Sequence, residues 1–162
     1  MDKRRFLSKF YIVLFTCMLI LPCYSEDVNG ADWIYYGTRA GGMMAFYDAQ
    51  SIIYLPNNSA RVFTKMIPSD ENNRARFIME MRKDIPTFPD NWGFSTELYE
   101  INCRNRTKKG LKLNHYDTKN ELIGLTPIKH PRLGYIPTNS MEDELYKKVC
   151  VKQDLKSKGG KD

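Results

Sequence analysis

Residues 60–67 read Ala60-Arg61-Val62-Phe63-Thr64-Lys65-Met66-Ile67, with Val62, Thr64 and Met66 on one side and Arg61, Phe63 and Lys65 on the other. A two-residue period over β-branched and aromatic side chains marks a half-buried strand. The turn cluster Asn57-Asn58-Ser59 precedes it, so the strand returns antiparallel on Ser51-Ile52-Ile53-Tyr54. Further upstream, Met44-Ala45-Phe46-Tyr47-Asp48 and Trp33-Ile34-Tyr35-Tyr36 are two more short segments, set apart by Gly37 and by a turn at Gly41-Gly42. The pattern is that of an antiparallel meander.

Downstream, Asp70 is placed to cap a helix over residues 71–82, with Phe77, Ile78 and Met81 at helical spacing and an end before Pro86. Residues 86–93 read as loop. Strand patterning resumes over 96–102, where Leu98, Glu100 and Asn102 alternate against Glu97, Tyr99 and Ile101, and Cys103 shares the core side with Tyr99 and Ile101. Residues 111–117 and 121–125 are further strands joined by a turn at 117–120, and 127–137 is loop. Neither half of this pattern has enough apolar residues to enclose a core, so both belong to one sheet. Ser140-Met141-Glu142-Asp143 has capping-box spacing. It opens a helix running to Cys150, in which Met141, Leu145 and Val149 form an apolar stripe beside Tyr146. The expected fold class is α+β: a single antiparallel sheet, a C-terminal helix packed on it, and a second helix in a mid-chain insert.

The chain begins with a basic stretch carrying Lys3, Arg4, Arg5 and Lys9, then about 13 largely apolar residues, then Tyr24-Ser25-Glu26-Asp27. Roughly 20 apolar residues are needed to span a membrane, so residues 1–25 are expected to be a cleaved signal peptide, with Glu26 as the mature start. The rivals are an uncleaved membrane helix and a lipoprotein cut before Cys23, which Pro22 disfavours. The expected domain is 26–151, followed by a mobile lysine-rich tail at 152–162. Removing residues 1–25 leaves 137 of 162 residues, enough for one domain with a core. It also changes 25 basic against 19 acidic residues to 21 against 18, a net charge of +3. That balance gives nucleic-acid binding little support.

Cys17 and Cys23 go with the leader, which leaves Cys103 and Cys150 as an even pair in an oxidising compartment. A disulfide closing a loop of about 48 residues would stabilise the domain by roughly 4 kcal/mol. Two free buried thiols are the alternative.

Several features then fall in a recognisable order: Trp33 on the first strand; Tyr47-Asp48 and Ser51-Ile52; Tyr99-Glu100-Ile101-Asn102-Cys103-Arg104-Asn105-Arg106; Tyr116-Asp117; and Ile136-Pro137-Thr138-Asn139-Ser140 leading to Val149-Cys150. This ordered set resembles the surface-adhesin E family of small exported bacterial proteins, over residues 32–150. The resemblance implies an antiparallel sheet of about six strands with helical packing on one side, and, for the adhesin that gives the family its name, attachment to host matrix proteins. Asn102 departs from the family pattern, in which an acidic residue is common before the cysteine. The 71–82 insert and the proline loop after it have no counterpart in that pattern.

No catalytic group is expected. His115 in a strand and His130 in a loop have no cysteine or carboxylate at metal-ligand spacing. Gly41-Gly42 lacks the lysine and helix of a phosphate cradle. No serine has a histidine near it in sequence, although spatial triads need no such proximity. Asp48 and Asp117 each follow a tyrosine at a strand end and are expected to close turns, since single aspartates lack the oxygen cluster that calcium requires. No metal or cofactor is expected.

Arg104, Arg106, Lys108, Lys109 and Lys112 lie within nine positions around Gly110, read as a turn, and form the candidate binding patch. An extracellular protein, an anionic polysaccharide or phospholipid headgroups would suit it. A strand edge kept charged against edge pairing is the plainer reading. Trp33, Tyr35, Tyr36, Phe46, Tyr47 and Tyr54 are too many for alternating strands to turn inward; ordinary core and surface aromatics are the plainer reading, with a ligand surface or a homodimer through a sheet edge as the alternative. The expected role is an exported, non-catalytic binding domain in the periplasm or at the cell surface, possessing no membrane span after cleavage. The alternatives are a periplasmic housekeeping or stress protein and an enzyme of unknown type.

Overall fold

A computed structural model describes residues 31–127, 131 and 133–158. The expected signal peptide at 1–25, Cys23, Glu26, His130 and the last residues of the expected tail lie outside the described residues. Trp33–Arg39 (β1), Met43–Asp48 (β2), Ile53–Leu55 (β3) and Ser59–Pro68 (β4) form the first half of a sheet, followed by the helix Glu71–Asp84 (α1). Trp92–Asn102 (β5), Thr107–Asp117 (β6), Leu122–Pro127 (β7) and Gly134–Tyr135 (β8) complete the sheet, and the helix Met141–Lys158 (α2) follows. The order is β1-β2-β4-β5-β6-β7, every pairing antiparallel. The short strands β3 and β8 pair with the halves of β4 and β6 that β2 and β7 leave free.

The α+β class and the single antiparallel sheet stand: among the described residues six strands make the main order, and the short β3 and β8 pair beside it. The extra pairing at β8 is two residues long and lies in a stretch read as loop, where two residues carry no period to detect. Gly110 is not at a turn. It sits inside β6 opposite Tyr99, where the β5–β6 register shifts, and a glycine inside a strand marks such a bulge. The chain reverses earlier, at 103–106, where Arg106 takes a positive φ of 51° and the Asn105 N–H donates to the Asn102 carboxamide at 2.9 Å. Helix α2 continues past Cys150 to Lys158.

Both helices pack on the same face of the sheet. Helix α2 lays Leu145, Val149 and Cys150 on Tyr36, Ala45, Tyr47, Ala60, Val62 and Ile101. Helix α1 contributes Ile78 to a second cluster with Met43, Phe88 and Trp92, where Phe77 stacks on Trp92 at 4.2 Å. Asp70 caps α1 by accepting from the Asn73 N–H at 2.8 Å, and the Ser140 hydroxyl caps α2 by accepting from Asp143 N–H at 3.1 Å. Gly42, at φ +72°, brings α1 to the β1–β2 turn, because a Cβ there would lie 2.1 Å from Asn73 Nδ2. Cys103 and Cys150 are bonded, with Cα atoms 5.5 Å apart. The bond ties α2 to the end of a central strand.

Candidate functional site

Pairing partners share a face, so the register maps the side of the sheet away from the helices row by row. One row crosses the sheet as Tyr35, Phe46, Lys65, Thr96, Asn114 and Leu125. Phe63, Leu98 and Lys112 form the next, and then Ile53, Arg61, Glu100 and Lys109. Ser59, Asn102, Thr107 and Tyr135 lie last, beside the disulfide. Among the described residues no helix or strand lies over this face.

Its upper part is aromatic. Tyr35 meets Phe46 edge to face at 5.6 Å, Phe94 stacks on Tyr116 at 4.7 Å, and Lys65 Nζ sits 4.0 Å from the Phe94 ring centre. Burial lowers the Lys65 pKa. Among the described residues, Trp33 Nε1 and Asn114 Oδ1 are both buried here with no hydrogen-bond partner, which costs about 1–3 kcal/mol for each such group. Tyr35 is 52% exposed and Leu125 60%.

The alternation of β6 divides the five cations of the expected patch. Arg106 pairs with Asp143 and lies 4.4 Å over the Tyr146 ring, on the α2 side. Lys108 also faces that side, 3.2 Å from Glu142 and 4.7 Å over Tyr99. Lys109 and Lys112 stand on the opposite face, Lys109 bound to Glu100 at 2.8 Å. Arg104 is exposed on the turn between. Arg106, with N–H groups from Asn139 and Lys147, holds the Asp143 carboxyl down to about 2.

The helix-covered face holds a polar pairing that the sequence did not reveal. Ser95 and His115 lie opposite one another on β5 and β6, with Oγ 2.8 Å from Nδ1. The same hydroxyl accepts from the Trp92 indole N–H at 3.0 Å, and the Phe88 ring meets His115 edge on at 5.2 Å. Ser95 is 1% exposed and His115 5%, so the pair is sealed and burial lowers the His115 pKa. Beside it, Tyr99 donates to Glu97 at 2.5 Å. Burial raises the Glu97 pKa, opposed by that hydroxyl, Lys108 and Arg39. Only register places Ser95 against His115, and sequence separation hides it.

Asp48 and Asp117 close turns. Asp48 accepts from the Gln50 N–H at 2.9 Å, and Asp117 from those of Lys119 and Glu121 at 2.8 Å each. Among the described residues no three His, Cys, Asp or Glu side chains could jointly hold a metal ion, and no helix is long and apolar enough to cross a membrane.

No family model matches the sequence, and no curated protein matches it. Among solved structures, the chain is similar to crystal form II of Haemophilus influenzae protein E, with 10% sequence identity and a TM-score of 0.45, over 72% of this chain and 92% of that one.

Proposed function

We propose that this protein is an exported, non-catalytic binding domain of the surface-adhesin E type, which engages an extracellular protein through the sheet face left open by its helices. The observation that carries the reading is what stands on that face. Tyr35, Leu122 and Leu125 are exposed on its upper part, where Phe94 and Tyr116 stack, and Ile53 and Tyr135 are exposed at its lower end. Aromatic side chains beside charged ones are characteristic of protein-binding surfaces.

Export is supported by the basic and apolar run at the start of the chain and by the Cys103–Cys150 bond, since disulfides persist in oxidising compartments. The family reading rests on the ordered motifs from Trp33 to Cys150. A non-catalytic role is supported by the sealing of Ser95 and His115, which no substrate could reach without opening the core.

A photo-crosslinking residue placed at Tyr35 or Leu125 tests the reading, with Met79, 61% exposed on α1, as the control. Adducts with extracellular protein are expected at the first two sites and absent at Met79. Equal yield at all three, or none at Tyr35 and Leu125, would contradict it. Protease digestion on intact cells accompanies this test. Protection until the envelope is permeabilised would favour the periplasmic housekeeping role.

A further inference from the structure

The lower end of the open face, beside the disulfide, holds a half-open pocket of about 170 Å³. Its walls come from the start of β4 (Ser59), the end of β5 (Glu100, Asn102), the start of β6 (Thr107, Lys109) and Leu133. Pockets for drug-sized ligands run from about 300 Å³ upward, so this one has room for a single ring, and its open side lets a longer chain continue across the sheet.

The lining is specific in chemistry. Asn102 already donates to the Ser59 hydroxyl at 3.4 Å and accepts from the Asn105 N–H at 2.9 Å, and the remaining valences of these groups, with the Thr107 hydroxyl and the Asn105 carboxamide, offer donors and acceptors together, which suits a ligand rich in hydroxyl groups. Leu133, 69% exposed, adds an apolar contact at the rim. Glu100 is shared by two cations, Arg61 at 3.0 Å and Lys109 at 2.8 Å. One carboxylate cannot neutralise both, so a positive charge remains at the mouth. A second carboxylate could pair with Lys109 while Glu100 keeps Arg61.

The walls are also held in place before any ligand arrives. The Cys103 N–H donates to the Asn58 carbonyl at 2.7 Å, Tyr146 donates its hydroxyl to the Cys103 carbonyl at 2.7 Å, and the disulfide ties the turn to α2. Preorganisation of this kind reduces the ordering cost of binding.

We infer that this pocket binds one carboxylate-bearing sugar residue, the terminal unit of an acidic glycan. The sugar hydroxyls meet Ser59, Asn102, Asn105 and Thr107, and the carboxylate meets Lys109. This rests on the reading of the open face as the binding face and names the ligand class for one end of it. A bare anion would leave the four neutral polar groups unused, and a neutral sugar would leave the residual charge unused.

The test is a titration of the disulfide-bonded protein, followed by amide NMR shifts, with glucuronate, glucose and acetate. Glucuronate is expected to saturate with shifts confined to Ser59, residues 102–109 and Leu133, with affinity at least about tenfold above that of glucose or acetate. Lys109→Gln should bring glucuronate down to the level of glucose while leaving the remaining spectrum unchanged. The inference is overturned by an absence of shifts at roughly 50 mM glucuronate, by acetate binding as well as glucuronate, or by shifts centred elsewhere. Because crosslinking at Tyr35 and Leu125 is independent of the pocket, silence here with adducts there would remove the sugar site and leave the protein-binding reading standing. The reverse pattern would remove only the latter.

Discussion

Breaking the Cys103–Cys150 bond should be the most costly single change to this domain that leaves its native contacts in place. The cysteines are 47 residues apart, and for a loop of that length the chain-entropy relation gives roughly 14 cal/mol/K, or about 4 kcal/mol at 25 °C. The native structure should barely respond, because each end is held independently. Cys103 is fixed through its N–H and carbonyl to Asn58 and Tyr146, and Tyr54 donates its hydroxyl to the Val149 carbonyl at 3.3 Å. The loss therefore falls on the unfolded chain, which gains freedom. Urea unfolding of the oxidised and reduced protein, followed by tryptophan fluorescence, measures it. With a slope of about 1–3 kcal/mol/M, the midpoint should fall by about 1.5–4 M, and the slope should rise as the unfolded chain expands. Domains of this size have about 5–15 kcal/mol in total, so the reduced form should sit near its folding threshold. A loss under about 1 kcal/mol with an unchanged slope would refute the reasoning, as would two alkylatable thiols in the unreduced protein.

Other perturbations follow from single contacts. Leu145→Ala, at a side chain 1% exposed in the cluster under α2, should cost about 2–5 kcal/mol in urea unfolding. Ser95→Ala strands the buried Trp92 indole N–H, which donates to the Ser95 hydroxyl, and should cost about 1–3 kcal/mol. Two carboxylates respond to pH in opposite senses. Burial makes the folded state hold the Glu97 proton more tightly than the unfolded chain does, so stability is lost as pH rises from the ordinary value of 4.5 through the raised one. Glu97→Gln should therefore gain on the parent protein at neutral pH and match it in acid, and a pH-independent difference would contradict this. Asp143 is held down to about 2 from an ordinary 3.8, so its contribution is complete above 3.8 and is lost as pH falls through 2. Asp143→Asn should remove that acid limb from the stability curve.

The sheet was legible wherever one face is buried and the other is not. Residues 60–67 alternate because Val62 and Thr64 meet the helices while Arg61 and Lys65 face away, and hydrophobic period reports that contrast directly. Both helix starts were legible for a local reason, since Asp70 and Ser140 satisfy backbone N–H groups three residues on. What escaped was non-local. Trp92 and Gly93 read as loop because their partner, β6, is distant in sequence, and a Cβ on Gly93 would come 2.6 Å from the Asp117 carbonyl oxygen. The basic run at 104–112 looked like one patch because sequence shows proximity along the chain. Strand alternation sends Lys108 toward α2 and Lys109 away from it. The pocket joins Ser59, residues 100–109 and Leu133, stretches that carry local signals of turn, strand and charge but nothing that brings them together.

The central claim is that binding belongs to the open face. It is tested most directly by attachment to surfaces coated with extracellular matrix protein, comparing Tyr35→Asp and Leu125→Asp with Met79→Asp in variants of unchanged unfolding midpoint. Placing a charge at an exposed apolar contact of the open face should weaken attachment by at least about tenfold for the first two, and Met79→Asp should attach as the parent does. Retention of attachment by both face variants, with loss at Met79→Asp, would put the binding surface on the helical side and contradict the account.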